Sequence, residues 1–319
     1  MPHSADQVSS AAVDSAPLPE AVSEPRPSRR PWLWLALPLV AVLALAMTLR
    51  PAEPSQAAWQ SAVDALTELR PGDAIWVHPV WEAAPWSALE SVALSAGLPR
   101  GQVFLHADRL TTADVARYRR VWLVGRASDP VPEALGGVAE TVAEQGGVRV
   151  AVADVPTARL RTDFLAVLGS AHSERATVEG RVTPCRWDKD RFRCDARDWT
   201  QVRPVMAEVG GTRRRCVYGQ PDPDRGVLRV RFPAARLGDR LAGGVGLNLW
   251  ANRHEEGSDV RFVVRVGGDV LVDERLPRGD FTWHTFDVDT SGRGKADVTF
   301  EVSAESTAWR QTCWDAVAF

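Results

Sequence analysis

Residues 259–276 read DVRFVVRVGGDVLVDERL, and this stretch constrains the fold more than any other. Val260, Phe262, Val264 and Val266 recur at every second position, with Arg261 and Arg265 between them, which is the period of a half-buried strand. Gly267-Gly268 then joins this run to a second one, the signature of a two-residue hairpin. Similar short runs recur at 214–219, 227–232, 244–252, 281–288, 296–304 and 310–319. Eight such strands separated by turn residues predict an antiparallel β-sandwich of jelly-roll type over 174–319.

The cysteines bear on the compartment. Cys185, Cys194, Cys216 and Cys313 all lie in this C-terminal part, and their number is even. A disulfide framework in an oxidising compartment explains that pattern best. Cys185–Cys194 would close the hairpin CRWDKDRFRC, and Cys216–Cys313 would tie the first strand of the C-terminal domain to its last. In a loop-entropy account these are worth roughly 2.7 and roughly 4.7 kcal/mol. Four cysteines allow three connectivities, so the pairing is an inference. Zinc would want close C-x2-C or C-x-H spacings, and a catalytic thiol a nearby histidine base, and neither occurs. Free buried thiols are the remaining alternative.

The region 59–172 carries a different pattern. Trp59, Val63, Leu66 and Leu69 recur at helical spacing, and apolar strand-like runs stand at 74–80, 103–107, 120–125 and 148–155. Helical readings at 85–97, 111–118 and 133–147 separate them. Alternating strands and helices predict an α/β domain, Rossmann-like, with a mostly parallel sheet. In such sheets ligands bind beyond the carboxyl ends of the strands. His78, His106, Asp108, Arg126, Asp129 and Asp154 would stand at those ends and could converge on one crevice for acid–base work or metal binding. Strand ends meet solvent in any case, so an inert scaffold is the simpler reading. No G-x-G-x-x-G follows the first strand, and neither G-x-S-x-G nor H-E-x-x-H occurs. No cofactor or metal is assigned.

Residues 1–30, rich in Ala, Ser, Pro and charge, read as a disordered tail. Residues 31–50 then include 19 without charge between Arg30 and Arg50, close to one bilayer crossing. Arg26, Arg29 and Arg30 precede this stretch, which puts the tail in the cytoplasm and the bulk of the chain outside, in the periplasm or beyond. The expectation is a single-pass bacterial inner-membrane protein with an N-terminal transmembrane helix, contacting the lipid bilayer through residues 31–50. A cleaved signal peptide is the alternative. Residues 51–58 read as a linker. A net charge of −3 gives no global basic field, so no nucleic-acid partner is expected.

Of 13 tryptophans, all but Trp32 and Trp34 lie beyond residue 55. In a β-sandwich, exposed aromatics at loops can bind sugars. The candidates are Trp250, Trp283, Trp309 and Trp314, with Asn252, His254, Glu255, Glu256 and Asp259 of NRHEEGSD. The competing reading puts the tryptophans in the core and makes that loop a solvated turn. The loop lacks the D-x-D-x-D-G spacing of a calcium site.

The stretches ELRPGDAIWVHPVW, RYRRVWLVG, CRWDKDRFRC, RRRCVYGQP and WHTFDVDTSGRGKADVTFEVSA, with the ending CWDA, carry a resemblance. Residues 59–319 resemble the soluble extracytoplasmic C-terminal region of bacterial membrane glycosyltransferases of the protein O-mannosyltransferase-like class. The resemblance implies an exported α/β module followed by a β-sandwich. Those enzymes carry many membrane helices with acidic catalytic residues on their loops. That part has no counterpart in this sequence, so transferase activity is not implied. What is implied is a non-catalytic accessory protein that binds a glycan or a membrane glycosyltransferase. An enzyme with its site at the α/β strand ends, or a structural member of an envelope complex, are the alternatives.

Overall fold

The computed structural model describes residues 38–42, 45, 53–66, 68–81, 83–94, 103–155, 160–194, 200–221, 226–254 and 256–319. The chain divides into two units, Met1–Ala52 and Glu53–Phe319. The expected tail 1–30 lies outside the described residues, as do residues 31–37, 43, 44 and 46–50 of the expected span. Residues 38–42 and 45 are helical and exposed. Among the described residues no helix is long and apolar enough to cross a membrane.

The second unit starts with α1 (Gln56–Asp64), where the Ser55 hydroxyl accepts from Ala58 N at 3.2 Å and caps the helix. Its apolar stripe buries Trp59, Ala62 and Val63. A small sheet follows. It comprises β1 (Asp73–Val77), β2 (Val103–Leu105), β3 (Arg120–Arg126), β4 (Glu140–Gln145) and β5 (Val148–Asp154), in the order β2-β1-β3-β5-β4. The helices α2 (Ala83–Leu94) and α3 (Thr112–Val115) lie between its first strands. A capping box between Thr111 and Asp114 starts α3.

This sheet corrects the α/β expectation. β1 runs parallel to β2 and β3, but β5 runs antiparallel to both β3 and β4. The segment 133–147, read as a helix because Ala and Glu favour helices, holds a 3-10 turn at Glu133–Leu135 and then β4. The cause is Gly146-Gly147, with φ of 56° and 79°. Two such residues form a hairpin turn, and a two-residue connection can only join antiparallel neighbours. The sheet is therefore mixed, the helices are short, and the protein is mostly β.

The remaining strands build one large sheet curled into a nearly closed β-sandwich. They are β6 (Thr162–Asp163), β7 (His172–Ala176), β8 (Val182–Asp188), β9 (Arg191–Arg193), β10 (Gln201–Val209), β11 (Thr212–Gly219), β12 (Val227–Arg236), β13 (Arg240–Leu247), β14 (Val260–Val266), β15 (Asp269–Leu276), β16 (His284–Asp289), β17 (Lys295–Ala304) and β18 (Thr312–Ala318). The order is β15-β14-β17-β12-β7-β8-β9-β10-β11-β18-β13-β16, with β6 added beside β18. The segment 174–213, where the alternation showed no strand, supplies the middle of this sheet. The expected strand 244–252 stops at Leu247, because Asn248 caps a short helix, α4 (Leu249–Arg253), by accepting from Ala251 N at 2.8 Å.

The core lies between the two halves of the curled sheet. Phe164, Phe232, Phe262, Phe300 and Trp314 pack edge-on, tilted or stacked, with Phe300 and Trp314 centroids 4.1 Å apart. Both expected disulfides form. Cys185–Cys194 closes the β8–β9 hairpin, and Cys216–Cys313 links β11 to β18, which are neighbours in the sheet. The small sheet docks on the sandwich through a buried ion network. Arg117 lies 2.9 Å from Asp315 and 3.2 Å from Asp163, and Arg214 lies 3.3 Å from Asp114. Burial raises the Asp315 carboxyl above the ordinary carboxylate range even against Arg117, and it pushes Tyr118 up to about 12.

Candidate functional site

The pairing register gathers several loops at one end of the sandwich. Val260 opposes Leu276 and Ala304, Leu247 opposes Thr312, and Val245 opposes His284. The connections 248–259, 277–283 and 305–311 therefore all leave the sheet on the same side. Loops on a rigid scaffold are where binding residues concentrate.

Arg310 holds these loops together. It is fully buried, with one NH2-group nitrogen donating to the Ala251 carbonyl at 3.0 Å and the other to the His254 and Glu256 carbonyls. A guanidinium supplies a fixed fork of donors, so one side chain satisfies irregular backbone that has no ladder partner. Gly257 has φ of 92°, and a Cβ there would strike Arg310 Nε and the Ala308 carbonyl. Glycine is thus required twice, for its backbone and for the approach. Asn248 N donates to the Gln311 carbonyl at 3.1 Å, and Ser258 N to the Ser306 carbonyl at 3.0 Å.

Trp309 stands on this base. Its ring lies flat on His254, with centroids 3.9 Å apart and planes 6° apart, while 43% of the residue stays exposed. Its φ is 57°, a left-handed backbone that costs a bulky side chain on the order of 1–3 kcal/mol. Trp250 on α4 is 59% exposed, with the Arg253 guanidinium 5.5 Å from its ring centre. Phe281 of the next loop is exposed as well. At the same loop end opens a cleft of about 1000 Å³, lined by Gly257, Ser258, Asp259, Arg261, Asp273 and Arg275 among others. Two ion pairs line it: Arg261 meets Asp273 at 2.6 Å and Arg275 meets Asp259 at 2.7 Å. The Arg278 N–H and the Arg275 guanidinium lower the Asp259 carboxyl, and Arg261 lowers that of Asp273. Both carboxylates stay charged acceptors at neutral pH.

Several expected binding residues meet here and others do not. Trp250, His254 and Asp259 share the loop end with Trp309. The Asn252 backbone lies on α4, and its side chain, like Glu255, lies outside the described residues. Glu256 is exposed and 3.4 Å from His254. Trp283 is half-buried, packed on Gly210, Gly244 and Gly246 under the Arg214 guanidinium, against the small sheet's side of the sandwich. Trp314 is in the core at 1% exposure. Arg310, Phe281 and the Arg261–Asp273 pair carried no signal in the sequence. Buried and exposed arginines and phenylalanines on strands and loops look alike until the register is known.

The expected crevice of the small sheet comes together in part: His78, Arg126 and Asp129 line one hollow, and His106, Asp108 and Asp154 lie outside it. His78 Nδ1 lies 3.0 Å from Asp129, which also accepts from Arg126 N at 2.9 Å, in a hollow of only about 10 Å³. His106 does not line that hollow. It stacks on Trp86 at 4.3 Å, and burial, with Arg213 nearby, lowers its pKa. Asp108 is exposed. Asp154 pairs across from Arg120, at the start of β3, because β5 is antiparallel. It stands at the opposite end of the sheet from His78. Among the described residues no group of three or more His, Cys, Asp or Glu side chains is placed to hold a metal ion.

No protein-family profile matches the chain, and no curated protein does. Solved structures align with parts of it. A carbohydrate-binding module of Clostridium perfringens ZmpB, solved with GlcNAc, aligns at 13% identity and a TM-score of 0.30, over 46% of this chain and 36% of that one. A second Clostridium perfringens module, from a family 95 glycoside hydrolase and solved with methyl-galactose, aligns at 12% identity and 0.29, over 45% and 92%. Tandem modules of a Streptococcus pneumoniae family 98 glycoside hydrolase align at 10% identity and 0.32, over 55% and 56%. This chain spans about a third of the ZmpB chain and about half of the tandem one. These scores are too low to transfer a ligand or an activity.

Proposed function

We propose that the protein is an exported, non-catalytic glycan-binding accessory protein of the cell envelope, with its site at the loop end of the sandwich. One observation carries the reading: Trp309 is held in a strained backbone conformation, flat on His254 and open to solvent, at the same loop end as a polar cleft. A core tryptophan needs no such presentation. Strain of this kind concentrates where a ligand is held. An indole face suits the C–H-rich face of a sugar ring, and the paired Arg and Asp edges of the cleft suit its hydroxyls. Two disulfides support an oxidising compartment. The resemblance to the outer-face region of membrane glycosyltransferases makes such an enzyme, or its glycan, the natural partner.

The test is a glycan array followed by calorimetric titration of the best hit. Trp309→Ala should weaken binding tenfold or more, the scale of a stacking anchor. A protein that binds no saccharide, or a Trp309→Ala variant that binds as well as the parent, would end the reading.

A further inference from the structure

The sandwich has a second opening on the outer face formed by β7, β12, β17 and β14. It is a groove of about 610 Å³, lined by His172, Trp187, Arg229, Arg231, Arg265 and Glu301 among others. The pairing register relates it to the loop-end cleft. Glu174, Arg229 and Glu301 stand side by side in one row, and His172, Arg231, Thr299 and Arg265 in the next. Further along the same strands, and on the same face, Ser303 and Arg261 are partners and line the cleft. The alternate residues Leu228, Val230, Phe262, Val264, Phe300 and Val302 point the other way, into the core. Thr299 to Ser303 is four residues, about 14 Å at ~3.4 Å each. Groove and cleft thus open on one continuous face.

The chemistry of that face is fixed and nearly neutral. Arg229 and Arg265 share Glu301 at 3.0 and 3.1 Å, as Arg261 holds Asp273. Such pairs present donors and acceptors side by side and attract little net charge, which suits hydroxyls better than anions. Trp187 lines the far end. It is 39% exposed and packs edge-on to Phe192 at 4.8 Å, on a hairpin closed by Cys185–Cys194. An aromatic therefore stands near each end of the track.

We infer that the ligand is an uncharged oligosaccharide lying along this face, with one end in the cleft at the Trp309 loop end and the other in the groove at Trp187. This rests on the glycan-binding reading and adds the length and charge of the ligand. A single sugar ring would occupy the cleft alone, whereas a chain buries surface in both openings.

The experiment titrates the full chain with neutral oligomers of glucose, galactose and mannose, from monomer to hexamer, and with polygalacturonate as the charged probe. For the sugar that binds, affinity should rise at least tenfold from monomer to hexamer. Trp187→Ala should remove that rise and leave monomer affinity unchanged, while Trp309→Ala lowers both. Arg231→Gln, a change on the exposed face, provides a second variant with the same expected loss should Trp187→Ala not fold. Affinity independent of length, or a hexamer that binds both groove variants as well as the parent, overturns the inference and leaves the glycan reading standing. Salt-sensitive binding of polygalacturonate tighter than every neutral oligomer overturns the uncharged ligand. Failure of every saccharide to bind removes the glycan reading itself.

Discussion

In the small mixed sheet, Asp73 is 4% exposed and accepts from Arg120, from the Trp122 indole and from Arg70 N. At the loop end of the sandwich, the Asp259 side chain is 32% exposed and its pair with Arg275 faces an open cleft. The same contrast holds for the aromatics. Trp76 donates its indole N–H to the buried Ala107 carbonyl, and Trp86 is covered by His106. Trp250 and Trp309 are presented outward. In the first region polar groups satisfy one another and lock a scaffold. In the second, a buried arginine fixes the backbone so that other side chains are left for a ligand. A cluster of titratable residues at strand ends is thus no guide to function until their partners are known.

The largest expected effects test how each region is held. Replacing the Cys216–Cys313 pair by alanines should cost roughly 4.7 kcal/mol, and replacing Cys185–Cys194 roughly 2.7 kcal/mol, by denaturant titration. The small sheet has no cysteine, so equal losses for the two pairs would break the view that the long closure holds the sandwich. Arg117→Ala should cost about 3–5 kcal/mol, because it leaves Asp163 and Asp315 without their partner. Burial already raises the Asp315 pKa, so its favourable contribution is present at low pH and is lost as pH rises through the raised value. The Arg117→Ala deficit should therefore shrink on acidification, as protonated Asp315 needs no cation. A deficit unchanged with pH would mean that the network does not hold the two sheets together.

Smaller effects sharpen the comparison. The His106 pKa is lowered from 6.5, by burial first and by Arg213 second. Its contribution is present above 6.5 and is lost as pH falls below that value toward the lowered one, since the unfolded chain takes the proton first. The stability profile of His106→Gln should be flatter over that interval, and a profile parallel to the parent's would place His106 in a more solvated site. Trp81 is 73% exposed, near the small sheet's strand ends. Trp81→Ala should change stability by less than about 0.5 kcal/mol and leave saccharide binding unchanged. Loss of binding there would move the site to the small sheet.

Much of the sandwich was legible, because alternation such as Val260, Phe262, Val264, Val266 needs only one buried face to be recognised. The α/β reading failed at 133–147, where Ala and Glu outvoted the Gly-Gly turn that reversed the chain. With β5 reversed, Asp154 left the end of the sheet where it was expected. Of the site, Trp250, His254, Asp259 and Trp309 were legible as aromatics and polar groups flanking strands. Arg310 was not, since nothing in AWRQT distinguishes a buried arginine from a solvated one. Trp187 could have been found: an aromatic between two cysteines in a ten-residue hairpin has little core of its own to fill.

The sequence alone determined what depends on near neighbours: strand alternation, hairpin turns, helix caps, and an even set of cysteines confined to the C-terminal part. Tertiary structure decided what depends on register and burial. It joined β11 to β18 under a disulfide, placed groove and cleft on one face, and turned Trp314 inward and Trp309 outward. The physical reason is that alternation fixes which residues share a face but not which strands lie side by side. Only the pairing of distant strands gives each polar or aromatic side chain its partner or its opening to solvent.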